Sequence, residues 1–468
     1  TMSNNQPQWQ SVVYGILPHP KEPRILLLPN ASHSTWLLPQ VTFRWRMGFS
    51  AVRPVTHAMT ELLEIPVTAL RCAAQWINED EQRYQGVYTL ETPASATALP
   101  LNGAWVSLHG LAELTLTVER VRPILTRHLE EISGIIRPAN RRAWHESGWY
   151  PAARQWMAKT LQAKGYILTG PIQQYDSWGL TCLMEVATTD GRVFFKTAPA
   201  LSRFAHEPNV MAGLAALFPN HVPMPIAVEP TQRWMLLADF GATYDDQAPA
   251  AANAAKAQIV RAFADLQIAA VPHSEQLFAI GCVDRRLSHL MNDAQALFAD
   301  ERIMRHVEQE EAEELRARLP LLNNLRQQLT EFNIPETLIH GDLGIGNVAG
   351  TTAQPIFFDW TEAAVSHPFF DIFDMFFADD PTLQIRVRDS YLAAWTAFEP
   401  WERLLQAWAV ARPLCALYHA ISYQTVYTNV EPPFQEAMGH FVQRWLRRIL
   451  QATANTDNDT RIQGGHHV

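Results

Sequence analysis

Two short polar motifs, separated by an apolar run, constrain this chain more than any other feature. The segment LIHGDLGIGNV contains His340, Asp342 and Asn347, and the following IFFDW places Asp359 after an apolar, strand-like run. A turn between two strands would bring Asp359 back beside the loop that holds Asp342. Each residue alone is typical of an ordinary turn, because Asp, Gly and Asn favour turns. Their combined spacing is much rarer and predicts a functional site.

These residue types suit phosphoryl transfer. A carboxylate such as Asp342 can orient an attacking hydroxyl group and accept its proton. The phosphate oxygens need divalent charge, and magnesium prefers hard oxygen ligands, which Asn347 and Asp359 can supply. The spacing therefore predicts Asp342 as the catalytic base and Asn347 and Asp359 as ligands of Mg²⁺.

HGDLGIGN and FFDW resemble the catalytic loop and the metal-binding strand end of the aminoglycoside phosphotransferase and choline kinase-like families, which are relatives of protein kinases. The resemblance covers roughly residues 145–450. It implies an α+β, two-lobed protein-kinase-like fold, with a small β-rich N-lobe and a large helical C-lobe. It also implies ATP and Mg²⁺ as cofactors, a small-molecule hydroxyl acceptor, and a role for Asp371 in bracing the catalytic loop.

The resemblance continues upstream of these motifs. RVFFK places Lys196 at the end of an apolar strand, where the resemblance implies contact with the α- and β-phosphates. Glu207 is implied to pair with Lys196, and we expect it in the first turn of a helix because Pro208 limits how far that helix runs upstream. WMLLADFG resembles the strand and hinge between the lobes, which implies that backbone groups near Leu237 and Ala238 face the adenine.

Two departures from the family pattern stand out. The expected phosphate loop, YDSWGLTC at 175–182, has a single glycine, Gly179, which puts the affinity for the nucleotide in doubt. Gly344 and Ile345 stand where many relatives carry His-Pro, a change in loop stiffness that leaves the charged roles unaltered.

The predicted domain organisation has four parts. A stretch rich in Gly, Pro, Asn and charge indicates a linker near 134–143. We expect a separate α/β N-terminal domain at 1–140, an N-lobe at 141–238, a helical C-lobe at 239–450 and a polar tail at 451–468. Local patterns predict strands at 12–17, 24–28, 84–90, 180–188 and 192–198, and helices at 51–65, 153–164, 254–267, 308–319 and 401–421.

The N-terminal third resembles a degenerate Nudix domain, with early strands, the segment WLLP and the helical segment TELLEI. In the Nudix helix, carboxylates hold magnesium against a diphosphate. Here Thr60 replaces the arginine, Ile65 replaces one glutamate, and Val52 stands at the upstream glutamate. We therefore expect Glu61 and Glu64 to form a solvated helix face and the domain to be non-catalytic.

Composition excludes several classes of protein. The net charge of −10, with no basic run, argues against a nucleic-acid partner. The sequence contains no apolar stretch of about 18 residues, so no membrane span is predicted. The absence of a signal-peptide pattern and four widely spaced cysteines indicate a cytoplasmic protein with reduced thiols.

Several questions stay open at this point. The alternatives are a pseudokinase-type, nucleotide-binding regulatory module and a Nudix-type hydrolase with an accessory lobe. The acceptor could be aminoglycoside-like, a sugar, an amino-alcohol or a similar metabolite. Preference for ATP over GTP and the oligomeric state are also undetermined. The residues named as guesses for the acceptor pocket are Trp360, Glu362, Asp374, Asp379 and Asp380.

Overall fold

A computed structural model describes residues 9–93, 102–372 and 380–464, the last ten of these by backbone alone. The chain divides into two compact units. The first unit comprises Thr1–Thr197 and Val430–Gln435, and the second comprises Ala198–Asn429 and Glu436–Val468. The domain boundaries at 140 and 238 stay predictions.

Among its described residues, the N-terminal part of the first unit contains two small sheets and three α-helices. One sheet has the strand order β4-β1-β6-β5, in which β1 and β6 run parallel, and the other has the order β3-β2-β7. The elements are β1 (Gln10–Ile16), β2 (Arg24–Pro29), β3 (Trp36–Leu37), β4 (Gln40–Phe43), α1 (Val52–Leu63), β5 (Thr68–Asn78), β6 (Arg83–Glu91), β7 (Ala104–Ser107), α2 (Leu108–Glu113) and α3 (Arg122–Ile132).

Helix α1 confirms the helix predicted at 51–65. Val52, Val55, Met59 and Leu63 are buried, a three-to-four-residue spacing that places them on one face. They pack into a core with residues of β1, β5 and β6. The opposite face is polar, and Glu61 lies 3.3 Å from the exposed His57 ring.

The rest of the first unit contains α4 (Trp149–Ala163), β8 (Gln173–Ser177), β9 (Cys182–Thr188) and β10 (Gly191–Thr197). Gly191 pairs antiparallel with Thr188, so the strands predicted at 180–188 and 192–198 form a hairpin that turns at Asp190 and Gly191. Gly191 has φ +107°, a conformation that glycine adopts readily. Helix α4 begins four residues before the predicted start, because Tyr150 belongs to its buried face.

A buried ion network ties the distant segment Val430–Gln435 into the first unit. Arg141 donates to Glu431 at 2.8 Å and to Glu131 at 2.8 Å, and His145 lies 3.2 Å from Glu431. Burial opposes ionisation of Glu431, but the hydrogen bond from His145 and the charges of Arg71 and Arg141 hold its pKa at about 2. The network thus contains both positive guanidinium groups and negative carboxylates, and these side chains are almost fully buried.

The second unit is mainly helical, as predicted. Its helices are α5 (Glu207–Leu217), α6 (Pro249–Ala270), α7 (Ser274–Ile280), α8 (Leu287–Ala299), α9 (Glu301–Met304), α10 (Gln309–Ala317), α11 (Leu319–Leu329), α12 (Pro381–Leu392), α13 (Trp401–Asn429) and α14 (Pro432–Gly464). Among the residues that the structure describes, no helix is long and apolar enough to cross a bilayer.

Short strands of the second unit frame the polar motifs. They are β11 (Ala227–Glu229), β12 (Trp234–Ala238), β13 (Val283–Asp284), β14 (Thr337–Ile339), β15 (Val348–Thr351), β16 (Gln354–Phe357) and β17 (Ala364–Ser366). Strand β17 pairs with β13 and β14, whereas β15 and β16 form a hairpin. The site begins where buried β14 ends.

Candidate active site

The loop after β14 turns sharply at Gly341. The strand is fully buried, and His340 continues it with its Nε2 atom 2.8 Å from the Phe358 carbonyl oxygen. Gly341 has φ +84°, and a Cβ atom there would lie 2.6 Å from the Glu362 carbonyl oxygen. Only glycine fits this crowded, left-handed position. The turn leaves the next residue, Asp342, exposed to solvent.

Asp371 braces this turn, as the resemblance implies. Its two carboxylate oxygens accept the backbone N–H groups of His340 and Gly341, each at 2.7 Å. Gln267 donates to the same carboxylate at 3.1 Å. Burial raises the pKa of Asp371 to about 7, and the backbone hydrogen bonds counteract this rise. The side chain is fully buried, so it holds the loop and does not face solvent.

The β15–β16 hairpin returns the chain to this loop, which confirms the expected turn between two strands. Val348 pairs with Phe357, and the N–H of Phe358 donates to the Asn347 carbonyl oxygen at 3.2 Å. Asn347 also donates its side-chain Nδ2 to Asp342, at 2.8 Å to the backbone oxygen and 3.4 Å to Oδ2. The amide nitrogen is thereby used on Asp342, which leaves the amide oxygen as the atom suited to a metal.

A threonine that the sequence reasoning missed links two of the predicted carboxylates. The Thr361 hydroxyl lies 2.8 Å from Asp359 Oδ1 and 3.0 Å from Glu207 Oε2. A hydroxyl has a single hydrogen to donate, so it cannot serve both carboxylates fully at once. Thr361 sits two residues after Asp359, in the 3₁₀ turn Trp360–Glu362, but its contact with Glu207 is 154 residues distant in sequence.

The predicted phosphate-side residues lie in both units. Glu207 is the first residue of α5 and is buried, so its expected first-turn position is confirmed. Lys196 lies in β10 of the first unit and is buried, with 6% of its surface exposed. The interaction of Lys196 with phosphates and its pairing with Glu207 stay predictions.

The residues expected to face adenine end strand β12. Leu237 is buried and Ala238 is exposed. The next residue, Asp239, accepts the N–H of Gly241 at 2.9 Å and so shapes the turn that follows. Contact of Leu237 and Ala238 with adenine is not tested by these positions and stays a prediction.

The residues guessed for the acceptor pocket lie in different environments. Trp360 is fully buried and donates to the Phe357 carbonyl at 3.0 Å, so its assignment to an acceptor pocket is wrong. Asp380 caps helix α12 by accepting the N–H of Thr382 at 2.9 Å. Asp374 and Asp379 lie outside the described residues.

Glu362, another residue guessed for the acceptor pocket, interacts with Arg285 and Ser422. Burial raises its pKa to about 7, while the charge of Arg285 and a hydrogen bond with Ser422 lower it. Arg285 is itself buried and donates to the Ser422 hydroxyl at 2.7 Å. Burial raises the pKa of Tyr423, and the charges of Asp342 and Glu362 raise it further.

Comparisons with known proteins bear on this geometry. Residues 184–414 match the family described as "APH: Phosphotransferase enzyme family". The segment that matches has the mixed α+β content of a kinase-like fold. No curated protein matches the sequence.

The chain is also similar to several solved structures. A choline/ethanolamine kinase family protein from Mesorhizobium loti is 15% identical, with a TM-score of 0.45, and the similarity covers 65% of this chain and 94% of that one. A choline kinase from Cryptosporidium parvum is 11% identical, with a TM-score of 0.47 and coverage of 65% and 97%. A spectinomycin phosphotransferase in complex with ADP and spectinomycin is 9% identical, with a TM-score of 0.41 and coverage of 64% and 98%. At such low similarity these likenesses assign no activity.

Proposed function

We propose that the protein is a small-molecule kinase that moves the γ-phosphate of ATP to a hydroxyl group of a small metabolite or aminoglycoside-like compound. The match of residues 184–414 to the phosphotransferase enzyme family supports this proposal. In this proposal Asp342 is the base, Asn347 and Asp359 hold Mg²⁺, and Lys196 holds the phosphates. Leu237 and Ala238 face the adenine.

One observation carries the proposal. The side chain of Asn347 is tied to Asp342, and the hairpin that follows returns the chain so that Phe358, next to Asp359, bonds to the backbone of Asn347. Two groups suited to a metal and one suited to a proton therefore stand on one braced loop and at the end of the hairpin that follows it. Phosphoryl transfer needs this combination, because its catalysis is mostly positioning and charge neutralisation.

The residues present fit a magnesium ion. A carboxylate and an amide oxygen are hard ligands of the kind that Mg²⁺ takes, with water and phosphate completing the shell. When bound, the ion would offset the charge of the phosphate oxygens. The Thr361 hydroxyl beside Asp359 Oδ1 orients the carboxylate, and it ties that orientation to buried Glu207.

Asp342 is the group that receives the proton of the acceptor. It is exposed, so a substrate hydroxyl can reach it, and the Nδ2 group of Asn347 restricts its orientation. A carboxylate that orients the attacking oxygen and takes its proton is sufficient here, and no covalent intermediate on the enzyme is needed.

For the N-terminal third we propose a degenerate, non-catalytic Nudix-like domain. Two sheets with a helix between strand pairs support this, as does the exposure of Glu61 on α1 and of Glu64 directly after it. We also propose a cytoplasmic location, which the free thiols of all four buried cysteines support.

The test of the reaction is Asp342→Asn. This change keeps the size and the hydrogen-bonding reach of the side chain but removes the proton acceptor, so turnover should fall by about 10²–10⁴-fold. The acceptor is first identified by incubating the protein and labelled ATP with a library of hydroxylated metabolites. Calorimetric binding of ATP with Mg²⁺ should persist in the variant.

The matched control is Asp265→Asn. Asp265 is an exposed carboxylate on α6 that pairs with Arg261, so its removal should leave turnover unchanged. Full activity in Asp342→Asn would remove the proposed base. Binding of ATP by the wild type without transfer to any acceptor would favour a pseudokinase instead.

A further inference from the structure

The turn between β8 and β9 stands where the phosphate loop is expected. It consists of Trp178, Gly179, Leu180 and Thr181, and it closes through the Trp178 N–H, which donates to the Thr181 carbonyl at 2.9 Å. The Thr181 hydroxyl donates to the Thr197 carbonyl at 3.2 Å. Since Thr197 directly follows Lys196 in β10, the turn lies beside the lysine assigned to the phosphates.

The N-terminal third holds this turn from one side. The N–H of Ser177 donates to the Ser50 carbonyl at 3.1 Å, and the Ser50 hydroxyl bonds to Asp176. The Phe49 ring packs against the Trp178 ring, with centroids 5.6 Å apart. These contacts span more than 120 residues of sequence, and they place the segment between β4 and α1 directly on the turn.

The linker holds the two successive carbonyl groups at the tip of the turn. Trp144 donates its indole N–H to the Trp178 oxygen at 2.7 Å, and Arg142 donates its Nε–H to the Gly179 oxygen at 2.8 Å. In a trans peptide the carbonyl and the N–H point in opposite directions. Fixing these two carbonyls therefore also fixes the directions of the Gly179 and Leu180 N–H groups, which point away from the linker.

A third segment, which contains Val430 and Phe434, also packs on the turn. We call the three segments that hold the turn, around Phe49, Arg142 and Phe434, the clamp. A Cβ atom on Gly179 would lie 2.9 Å from Val430 Cγ1. The Phe434 ring packs against both Phe49, at 5.3 Å, and Trp178, at 6.3 Å. The turn is thus held by three segments of the first unit and is not a free flap.

We propose that the N-terminal third and the linker position the nucleotide-binding turn, with Phe49, Ser50 and Arg142 as positioning residues for the phosphates of the nucleotide. The inference rests on the proposed ATP-dependent function. Among the described residues, neither the Gly179 N–H nor the Leu180 N–H donates a hydrogen bond within the protein. Neighbouring backbone N–H groups held in fixed directions form an anion-binding concavity.

This arrangement replaces the glycine-rich sequence that the turn lacks. A flexible loop must be ordered when the nucleotide binds, whereas a clamped turn is ordered beforehand and loses less conformational entropy. Ordering one further backbone residue on binding costs about as much as a ten-fold loss of affinity. Releasing one side of the clamp should therefore weaken nucleotide binding by about ten-fold without slowing the chemical step.

The experiment compares Phe49→Ala and Arg142→Ala with the wild type. Binding of ATP with Mg²⁺ is measured by calorimetry, KM for ATP and kcat by turnover, and amide hydrogen exchange over 177–182 by mass spectrometry. Both variants should raise Kd and KM for ATP by about ten-fold, keep kcat within about two-fold, and speed exchange in the turn. Arg142→Lys, which keeps a donor for the Gly179 carbonyl, should recover most of the affinity.

Leu125→Ala is the control for general destabilisation. Leu125 is fully buried in a separate core of the first unit, so its loss should lower the melting temperature without changing the Kd for ATP. Unchanged or tighter ATP binding in Phe49→Ala and Arg142→Ala, despite faster exchange in the turn, would overturn the inference and leave the proposed function standing. Absence of ATP binding by the wild type would overturn the proposed function, and the inference with it.

Discussion

Replacing Gly341 by alanine tests whether the geometry of the catalytic loop sets the rate. The position has φ +84°, where an L-residue is strained. The new methyl group would lie 2.6 Å from the Glu362 carbonyl oxygen and 2.7 Å from its Cβ atom. Both atoms belong to the turn that follows Asp359, so neither can move away as the end of a flexible side chain could.

The expected cost combines two effects. The left-handed conformation costs alanine about 1–2 kcal/mol. Forcing a methyl group into a packed site costs about 1–3 kcal/mol. Gly341→Ala should therefore lower the free energy of unfolding by about 2–5 kcal/mol, or the loop should shift to relieve the contact. A shift of about 1 Å at Asp342 would reduce kcat by about 10²-fold.

Gly344→Ala is the matched control on the same loop. Gly344 has an extended backbone, φ −127° and ψ 162°, and an added Cβ would meet nothing within 4 Å. This variant should keep its activity and stay within about 1 kcal/mol of the wild-type stability. The assay is denaturant unfolding together with turnover for both variants. Equal stability and equal kcat in the two variants would refute the idea that the loop's path positions Asp342.

Three further outcomes are expected. Asp359→Asn should weaken Mg²⁺-dependent ATP binding as well as the rate of transfer. Raised Mg²⁺ should partly restore the activity of Asp359→Asn but not that of Asp342→Asn, and equal rescue of both variants in magnesium titrations would contradict the division of roles. Lys196→Ala should weaken ATP binding or slow transfer, and it would be a structural residue alone if calorimetry and turnover were both unaffected. The double change Glu61→Gln with Glu64→Gln should leave transfer nearly unchanged, and a large loss of activity in a folded protein would restore a metal role to α1.

The parts of the site that the sequence predicted are those set by local spacing. Asp342, Asn347 and Asp359 fall within one loop and one hairpin, so their proximity follows from the short distance between them along the chain. The position of Lys196 at a strand end was also predicted from a local pattern, the apolar run before it. Its burial was not, because burial depends on packing against residues distant in sequence. Strand boundaries fell within two residues of the predicted ones, whereas helices α4 and α6 begin four and five residues earlier and α13 ends eight residues later than predicted.

The parts that the sequence did not predict depend on distant partners. Thr361 reads as an ordinary polar residue, and only the fold brings its hydroxyl to Glu207. The clamp on the β8–β9 turn combines Phe49, Arg142 and Phe434, which no spacing rule relates. The single glycine of the turn indicated that other segments hold it, because a phosphate-binding turn without a glycine-rich sequence needs contacts from elsewhere to fix its shape.

The return of Val430–Gln435 to the first unit has a consequence for how the protein is made. Arg141 and its partner Glu431 are separated by 290 residues, so the buried cluster cannot close until the chain up to Glu431 has left the ribosome. At about 5–20 residues per second, Arg141 waits about 15–60 s for its carboxylate. During that interval the nascent first unit holds cationic side chains whose final partner does not yet exist. The ion network of the first unit is therefore completed only after the residues of the second unit up to Asn429 have been synthesised, and a chain that stops before Glu431 would leave Arg141 without this partner.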